Sequence, residues 1–499
     1  MKRDLSALSQ CTFDLLVVGG GILGAGIAWD ASLRGLSCTL VEQGDFASGT
    51  SSKTTKLIHG GIRYLESLDF GLVRESLRER ATLLRIAPHR VRPLPFLIPV
   101  AGRYPRPWPM VRLGVALYEW MAGTPGQQKL LAGGRLEQEE PFLAGSSFRR
   151  AAGYADGQMD DAGMVLDVAG AAARAGALLA NHAAVSEWLL ERAKIAGAVV
   201  EDRLAGGRRE IRARAVINAT GPWVDRLRRL ADPVARPLVR PSKGIHLLYP
   251  DLGLRHALVI SSRKDGRIFF LIPWRGMTLI GTTDTDYSGE PGQARAEAED
   301  VEYLLREANA ALPQARISRE RIIATFAGVR PLAAQERKDP WAVSRMHHIH
   351  EDENGLVSIA GGKFTTFRKI AEEVVDRIAR RFPDRTIGPC RTARTPLGPD
   401  RAREEALAGW VRRDPRLGER LCPHHPSTWA EARYAVEEEM AASLPDLLWR
   451  RLQTGWSPCR GLDSLEEAAR RMGEWLGWDA GERARQAERY RQEVKETEG

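Results

Sequence analysis

Four apolar residues in a row, Leu15-Leu16-Val17-Val18, are followed at once by glycines, the pattern of a strand buried on both faces of a parallel sheet. They run directly into Gly19-Gly20-Gly21-Ile22-Leu23-Gly24. Ala25, Ile27, Ala28 and Ala31 then predict a helix, with Gly35 placed to end it. Cys38-Thr39-Leu40-Val41 predicts a second strand that closes on Glu42. Further on, an alanine-rich helix is predicted from Val165 to Ala180. An alternating strand from Ile211 turns apolar and ends in Ala219-Thr220-Gly221. Arg267 to Pro273 and Met277 to Thr282 predict antiparallel strands. A strand ending at Ala360 passes through Gly361-Gly362 into a helix from Phe367 to Arg380, and from about Pro396 the pattern is helical and rich in Arg and Glu.

The order strand, glycines, helix, strand gives those glycines a chemical reading. As G-x-G-x-x-G, it puts Gly19 at a tight turn, Gly21 where backbone approaches a pyrophosphate, and Gly24 where helix packs on strand. The helix N-terminus offers free N–H groups and a positive dipole end to that pyrophosphate. Glu42 is placed to accept hydrogen bonds from ribose hydroxyls. The motif by itself does not separate NAD from FAD. The next segment, Gly49 to Leu65, bears on the choice. Ser51, Ser52, Lys53, Thr54, Thr55 and Lys56 are too polar for a core, and they follow the second strand, where a loop runs along a cofactor's phosphates toward its reactive ring. Gly221 would let backbone pass close beneath a bound nucleotide. Phe326 to Leu332 and Ala360 to Thr366 show the same habit.

Composition narrows the class. At 499 residues the chain exceeds one ordinary core, so two or three domains are expected. Its 73 Lys plus Arg against 64 Asp plus Glu leave a formal net charge of +9, which suits an anionic substrate, an anionic membrane surface or nucleic acid without choosing among them. Cys11, Cys38, Cys390, Cys422 and Cys459 have neither zinc-finger nor CxxC spacing, as expected in a reducing cytosol. Met1 to Phe13 does not read as a signal peptide. No uncharged apolar run reaches the roughly 18–20 residues of a membrane-spanning helix.

Seven motifs, in order, carry a family resemblance. They are Ser51-Ser52; Lys56-Leu57-Ile58-His59-Gly60-Gly61-Ile62-Arg63-Tyr64-Leu65-Glu66; Ala219-Thr220-Gly221-Pro222-Trp223-Val224; Lys243-Gly244-Ile245-His246; Ile280-Gly281-Thr282-Thr283-Asp284; Gly328-Val329-Arg330-Pro331-Leu332; and Gly361-Gly362-Lys363-Phe364-Thr365-Thr366. With these, and with Leu448-Trp449-Arg450-Arg451 in the C-terminal helices, the chain resembles the FAD-dependent (aerobic, respiratory) glycerol-3-phosphate dehydrogenase family nearly end to end. That family lies in the glutathione-reductase-like group that includes D-amino acid oxidase. The resemblance implies an α/β fold: a glutathione-reductase-like FAD-binding Rossmann domain, an inserted antiparallel-sheet substrate domain and a C-terminal helical domain. The FAD-binding domain is expected to be discontinuous, over 13–71, 156–238 and 321–383. The substrate (cap) domain takes 72–155 and 239–320 and roofs the flavin. Residues 396–499 form the helical domain, expected to be structural or to join a homodimer.

The implied reaction oxidises sn-glycerol 3-phosphate to dihydroxyacetone phosphate, with hydride passing from C2 to flavin N5 of non-covalent FAD as the hydroxyl loses its proton. The FAD contacts implied are Gly19, Gly21, Gly24, Glu42, Ser51, Ser52, Lys56, Gly221, Trp223, Gly328, Gly362, Lys363, Phe364 and Thr365. Phosphate asks for cations, and an arginine fork meets its oxygens bidentately. Arg63, Arg330 and Lys363 are the candidates, at about 1.5–3 kcal/mol for each charge-assisted contact. By resemblance Arg330 and Lys363 also lie near the reacting oxygen, where positive charge stabilises a developing alkoxide. The proton needs a base poised near neutrality, and His59 and His246 are the motif-borne choices. His59 is favoured because it stands four residues before Arg63, so one turn of helix would put both on one face. Tyr64 and Thr283 are expected to complete the substrate's hydrogen bonds.

The expected electron acceptor is a membrane quinone, because the long insertion of oxygen-using relatives is not evident. That implies a cytoplasmic enzyme attached peripherally to the inner face of the cell membrane. Arg103 to Trp120 mixes Arg with Trp, Tyr and Met, which suits an interfacial element as well as it suits a packed helix of the substrate domain. His347-His348-x-His350 reads as a hairpin edge, and neither it nor His424-His425 is expected to hold a metal. Competing readings are a glycerol-3-phosphate oxidase using oxygen, a flavin oxidase of another alcohol or amine, and a basic flavoprotein that binds nucleic acid. The last needs an aromatic-studded basic face, whereas the arginines here are scattered among acids, so no nucleic acid is expected.

Overall fold

The computed structural model describes residues 1–102, 106–124, 126, 128–334, 347–398 and 401–498. One sheet runs, in spatial order, His348–Glu351, Val357–Ala360, Arg208–Asn218, Thr12–Val18, Cys38–Val41 and Leu178–Ala180, and the last five strands lie parallel. Leu15, Leu16 and Val17 are wholly buried because both faces of this sheet are covered. Helices Ile22–Leu33, Asp161–Arg174 and Phe367–Ala379 pack on one face. The antiparallel ribbon Ala183–Glu191 and Lys194–Asp202 covers the other. The histidine triplet stands as read, on a hairpin edge beside the 357–360 strand.

The alanine-rich helix is shifted from its predicted span. Asp160 caps it by accepting from Gly163 N at 3.0 Å, so it starts at Asp161, and Gly176 at φ +103° ends the turn that follows it. Leu178–Ala180, predicted as the helix tail, is instead a strand beside Cys38–Val41.

The second sheet orders Thr285–Asp286, Val239–Pro250, Met277–Gly281, Ile268–Trp274, Ala257–Ser261, Val91–Val100, Arg150–Met159 and Leu57–Ile58, with Ala324–Ala333 along the other side of Val239–Pro250. Its ladders are antiparallel except where Ala257–Ser261 meets Val91–Val100. The Arg150–Met159 strand runs through the predicted domain boundary at 155/156. Leu57–Ile58 and Ala324–Ala333, grouped with the FAD-binding segments by their motifs, hydrogen-bond into this second sheet. A motif reports what a segment faces, and not which ladder it joins.

Helices Arg401–Arg413, Trp429–Glu438, Leu465–Leu476 and Ala480–Lys495 form the C-terminal unit, with a short hairpin of Arg420–Cys422 and His425–Thr428. Trp429, Trp449, Trp456 and Tyr490 share a core with Leu248, Ile272 and Phe326 of the second sheet. Arg450 and Arg451 reach the loop that follows the Cys38–Val41 strand, where both pair with the buried Asp45. The helical unit is thus fastened to both sheets.

Candidate functional site

An elongated cavity lies between the sheets, with about 1760 Å³ between its walls, the open mouth included. Its first end is made of backbone. Gly19 sits at φ +114°, and a Cβ there would stand 2.6 Å from the carbonyl oxygen of Ala219. A Cβ on Gly24 would come within 1.9 Å of the Gly19 oxygen, which is the helix-on-strand contact expected of that glycine. Ser51 Oγ accepts from Ile22 N at 3.0 Å and so ties the serine turn to the helix start. Glu42 accepts from Gly20 N at 2.6 Å and Gly44 N at 2.8 Å. Burial pushes its carboxyl up, and the two N–H groups pull it down. Gly221 and Trp223 close this end, and Gly328, Gly362, Phe364 and Thr365 continue the wall. A glycine-only approach, a helix N-terminus on the wall and a half-buried acid at the end of the next strand fit a dinucleotide.

The other end is made of side chains, and strand register places them. Opposite residues of Val239–Pro250 and Ala324–Ala333 share a face, so Ser242 with Arg330, Gly244 with Gly328, and His246 with Phe326 all face the same way. The glycine rung leaves room that the Arg330 guanidinium fills: a Cβ on Gly244 would stand 2.1 Å from its Nη2. Arg330 donates to Thr282 Oγ1 at 2.8 Å and the Thr283 carbonyl at 3.2 Å, and pairs with Asp284 at 3.2 Å. The alternate residues Ile245 and Leu247 point into the core behind, and Lys243 meets Glu297 and Asp300 there.

His246 stacks on Phe326 with ring centroids 4.9 Å apart, and its Nε2 lies 3.0 Å from Thr55 Oγ1. Burial holds the ring well below its ordinary pKa, with Arg330 and Lys56 adding to the effect. Its buried Nδ1 has no hydrogen-bond partner among the described residues. Lys363 Nζ reaches Ser76 Oγ at 3.2 Å and lies 3.9 Å over the Tyr64 ring. His59 and Tyr64 share the same wall, and the His59 backbone N–H donates to Thr365 Oγ1 at 3.3 Å.

Several predicted roles are corrected. Lys56 is not on the cavity wall: at φ +59° its chain turns inward, where Nζ meets Asp161 at 2.8 and 2.9 Å and the Ser52 carbonyl at 2.7 Å. Ser52 therefore contributes its carbonyl to this buried joint and lies off the wall. Thr283 also lies off it, since its hydroxyl accepts from Ile245 N at 3.1 Å and its carbonyl holds Arg330. His59 and Arg63 share no helical turn, because Gly61 at φ +78° separates the short Leu57–Ile58 strand from a 3-10 turn at Ile62–Leu65. Arg63 stacks on Tyr64, its guanidinium 5.0 Å from the ring centroid. Burial would lower its pKa, but Tyr64, Asp284 and Glu66 more than offset that.

Lys53, and not Lys56, is the lysine of this loop that lines the cavity, and burial with Arg295 and Arg450 nearby pushes it down to about 8. Both lysines stand in one polar segment, and only the backbone turn separates them. Thr55, Ser76 and Gly244 position the reactive end and were not singled out from sequence. Gly244 had a signal, the glycine two residues before His246.

Comparison with known proteins agrees with this geometry. Residues 14–377 match the model of the FAD dependent oxidoreductase family, and 400–483 match the C-terminal domain of alpha-glycerophosphate oxidase. The chain is 35% identical to glycerol-3-phosphate dehydrogenase 2 of Mycobacterium tuberculosis (strain H37Rv), over 97% of this chain and 88% of that protein. It is 34% identical to the glycerol-3-phosphate dehydrogenase of Synechocystis sp. (strain PCC 6803), over 99% and 98%. The crystal structure of the glycerol-3-phosphate dehydrogenase from Bacillus halodurans complexed with FAD superposes with a TM-score of 0.78 at 31% identity, covering 99% of this chain and 97% of that one.

Proposed function

The chain belongs to the family of FAD-dependent glycerol-3-phosphate dehydrogenases, and on that footing we propose that it oxidises sn-glycerol 3-phosphate to dihydroxyacetone phosphate. When bound, its cofactor FAD supplies the hydride acceptor. The observation that carries the reading is the meeting of Arg330, Lys363 and two histidines at one end of a glycine-lined cavity. Arg330 and Lys363 on its wall are the two cations assigned here to a phosphate and a developing alkoxide, and Arg63, stacked on Tyr64, is the third.

His246 is preferred to His59 as the proton acceptor. His246 lines the cavity as a neutral ring, the form that accepts a proton, with its Nε2 3.0 Å from Thr55 Oγ1. The helical face that favoured His59 is absent. His246→Gln should then cost more than His59→Gln in the rate of flavin reduction, and the reverse order would return the role to His59.

A quinone acceptor requires a membrane surface. No helix among the described residues is long and apolar enough to cross a membrane. Helix Trp108–Met121 buries Val111, Val115 and Tyr118, yet on its opposite side exposes Met110, Leu113 (70%) and Trp120 (62%) beside Arg112. An apolar stripe left to solvent with arginine beside it supports interfacial attachment. Residues 103–105 of the predicted segment lie outside the described residues.

The deciding test is anaerobic addition of sn-glycerol 3-phosphate to the yellow holoenzyme. The visible flavin band should bleach, and a quinone analogue should restore it faster than air does. A band that stays, with FAD bound, overturns the substrate, and faster recovery in air overturns the quinone. Flotation with anionic liposomes, weakened by Leu113→Glu, tests the surface, and no lipid association removes it.

A further inference from the structure

Cys422 and Cys459 are 37 residues apart, and no spacing rule joins them, yet folding sets their Sγ atoms 3.8 Å from one another. Cys422 ends the first strand of the C-terminal hairpin, and Pro423-His424 makes its turn. Cys459 lies between the turns Thr454–Trp456 and Leu462–Ser464, the second of which carries Asp463. The ligand atoms of His424, Cys459 and Asp463 all lie within 4.8 Å of one another, with His424 Nε2 3.5 Å from Asp463 Oδ2. Cys459 Sγ belongs to both groupings. Against the expectation from sequence that His424-His425 holds no metal, we propose that Cys422, His424, Cys459 and Asp463 form a site for a thiophilic divalent metal of the zinc class, clipping the hairpin tip to the 454–464 loop.

Two thiolates, an imidazole and a carboxylate are a donor set that such metals take in tetrahedral geometry. With Zn–S bonds of about 2.3 Å, the two sulfurs of a tetrahedral site stand about 3.8 Å apart. The cysteines already have that separation. With Zn–N and Zn–O bonds of about 2.0–2.1 Å the remaining edges shorten to roughly 3.3–3.6 Å. Cys422 stands outside the 4.8 Å grouping of the other three, and His424 and Asp463 are exposed, at a hairpin tip and a surface turn, where side-chain rotation toward the two sulfurs meets no core packing.

Cys459 Sγ has a supporting donor, since Ser457 Oγ stands 3.2 Å from it. Cys422 is buried and Cys459 half-buried, so the site is dry behind and open to solvent in front. The neighbouring Arg460 guanidinium is committed elsewhere, to the carbonyls of Gly455 and Ile323. The buried trio Asp45, His182 and Asp446 differs in this respect, because Arg450 and Arg451 already supply its positive charge. Binding at the cysteine site releases the two thiol protons and changes no oxidation state.

The test uses the reduced, chelator-treated holoenzyme titrated with Co²⁺ and then Zn²⁺. One Co²⁺ per chain should give thiolate charge transfer in the near ultraviolet and ligand-field bands to the red of the flavin, and Zn²⁺ should abolish those bands. Cys459→Ser and His424→Ala should lose them, as well as the rise in Tm that Zn²⁺ gives the parent protein. The flavin spectrum shows whether each variant is folded, and the exposed His424 carries the test if Cys459→Ser fails to fold. Absence of the Co²⁺ bands while both thiols titrate as free overturns the proposal, as does equal uptake by Cys459→Ser. A reduced protein that ignores Co²⁺, yet joins Cys422 to Cys459 when treated with peroxide, makes the pair a redox pair and overturns it too.

Discussion

At the dinucleotide end of the cavity, Gly19, Gly20 and Gly21 follow one another in the chain, and Glu42 comes one strand later. At the reactive end, His246, Arg330 and Lys363 arrive from three distant segments, brought together by the pairing of Val239–Pro250 with Ala324–Ala333 and by the turn after Val357–Ala360. The first end binds with backbone: positive φ, absent Cβ atoms and N–H groups. The second acts with charge held by neighbours, Arg330 by Thr282 and Asp284, and Lys363 by Ser76 and the Tyr64 face. An end built of backbone fails by steric exclusion, and so loses the cofactor outright. An end built of side chains fails one function at a time, and keeps the cofactor while it does.

Five substitutions test that contrast, from outright loss of the cofactor down to a change that leaves the cavity untouched. Gly24→Ala breaks the first end: its Cβ meets backbone oxygen, so the protein should purify without yellow colour and melt with about 3 kcal/mol less stability. Colour retained at full occupancy would show that the glycine loop yields. Lys56→Met breaks the joint between the ends by leaving Asp161 buried without its cation, at about 3–5 kcal/mol in a denaturant melt.

Arg330→Met breaks the second end alone. FAD content should be unchanged while kcat/KM for sn-glycerol 3-phosphate falls about 10²–10³-fold. Loss of FAD together with turnover would blur the division between the ends.

His246 sharpens it through pH. Its folded pKa lies below the ordinary 6.5, so between the two values the unfolded chain binds the extra proton, and stability falls as pH falls through 6.5. Above that value the group contributes nothing to the slope. His246→Asn should flatten the acid side of the stability curve by up to about 1.4 kcal/mol per pH unit, read from melts in a pH series. Arg319→Ala, which removes the exposed pair with Glu302 on the far side of the second sheet, should cost under about 1 kcal/mol and leave colour and turnover alone.

Legibility in the sequence follows the same division. The strand to Val18, the helix from Ile22 and the strand Cys38–Val41 are found where the apolar run, the glycines and Gly35 predict them, because each signal is local. The helix after the Gly361-Gly362 turn is likewise found, at Phe367–Ala379. The choice between Lys53 and Lys56 was not legible, since what commits Lys56 is Asp161, over a hundred residues on. Nor was the role of Thr283, whose hydroxyl is taken by Ile245 across a strand pair. His59 and Arg63 have helical spacing, but Gly61 in the left-handed region breaks the turn that spacing assumes.

The order of amino acids by itself determined the dinucleotide cradle, the alternation of buried and exposed faces, and the inventory of cations and histidines able to meet a phosphorylated alcohol. Only the tertiary structure decided which of those groups face the cavity, which are spent in buried pairs such as Lys56 with Asp161, and which cysteines meet. The physical reason is the range of the forces. Backbone conformation and amphipathic period act between residues a few positions apart. The state of a buried charge or thiol depends on its desolvation and on partners within a few ångströms, which the chain supplies from anywhere along its length.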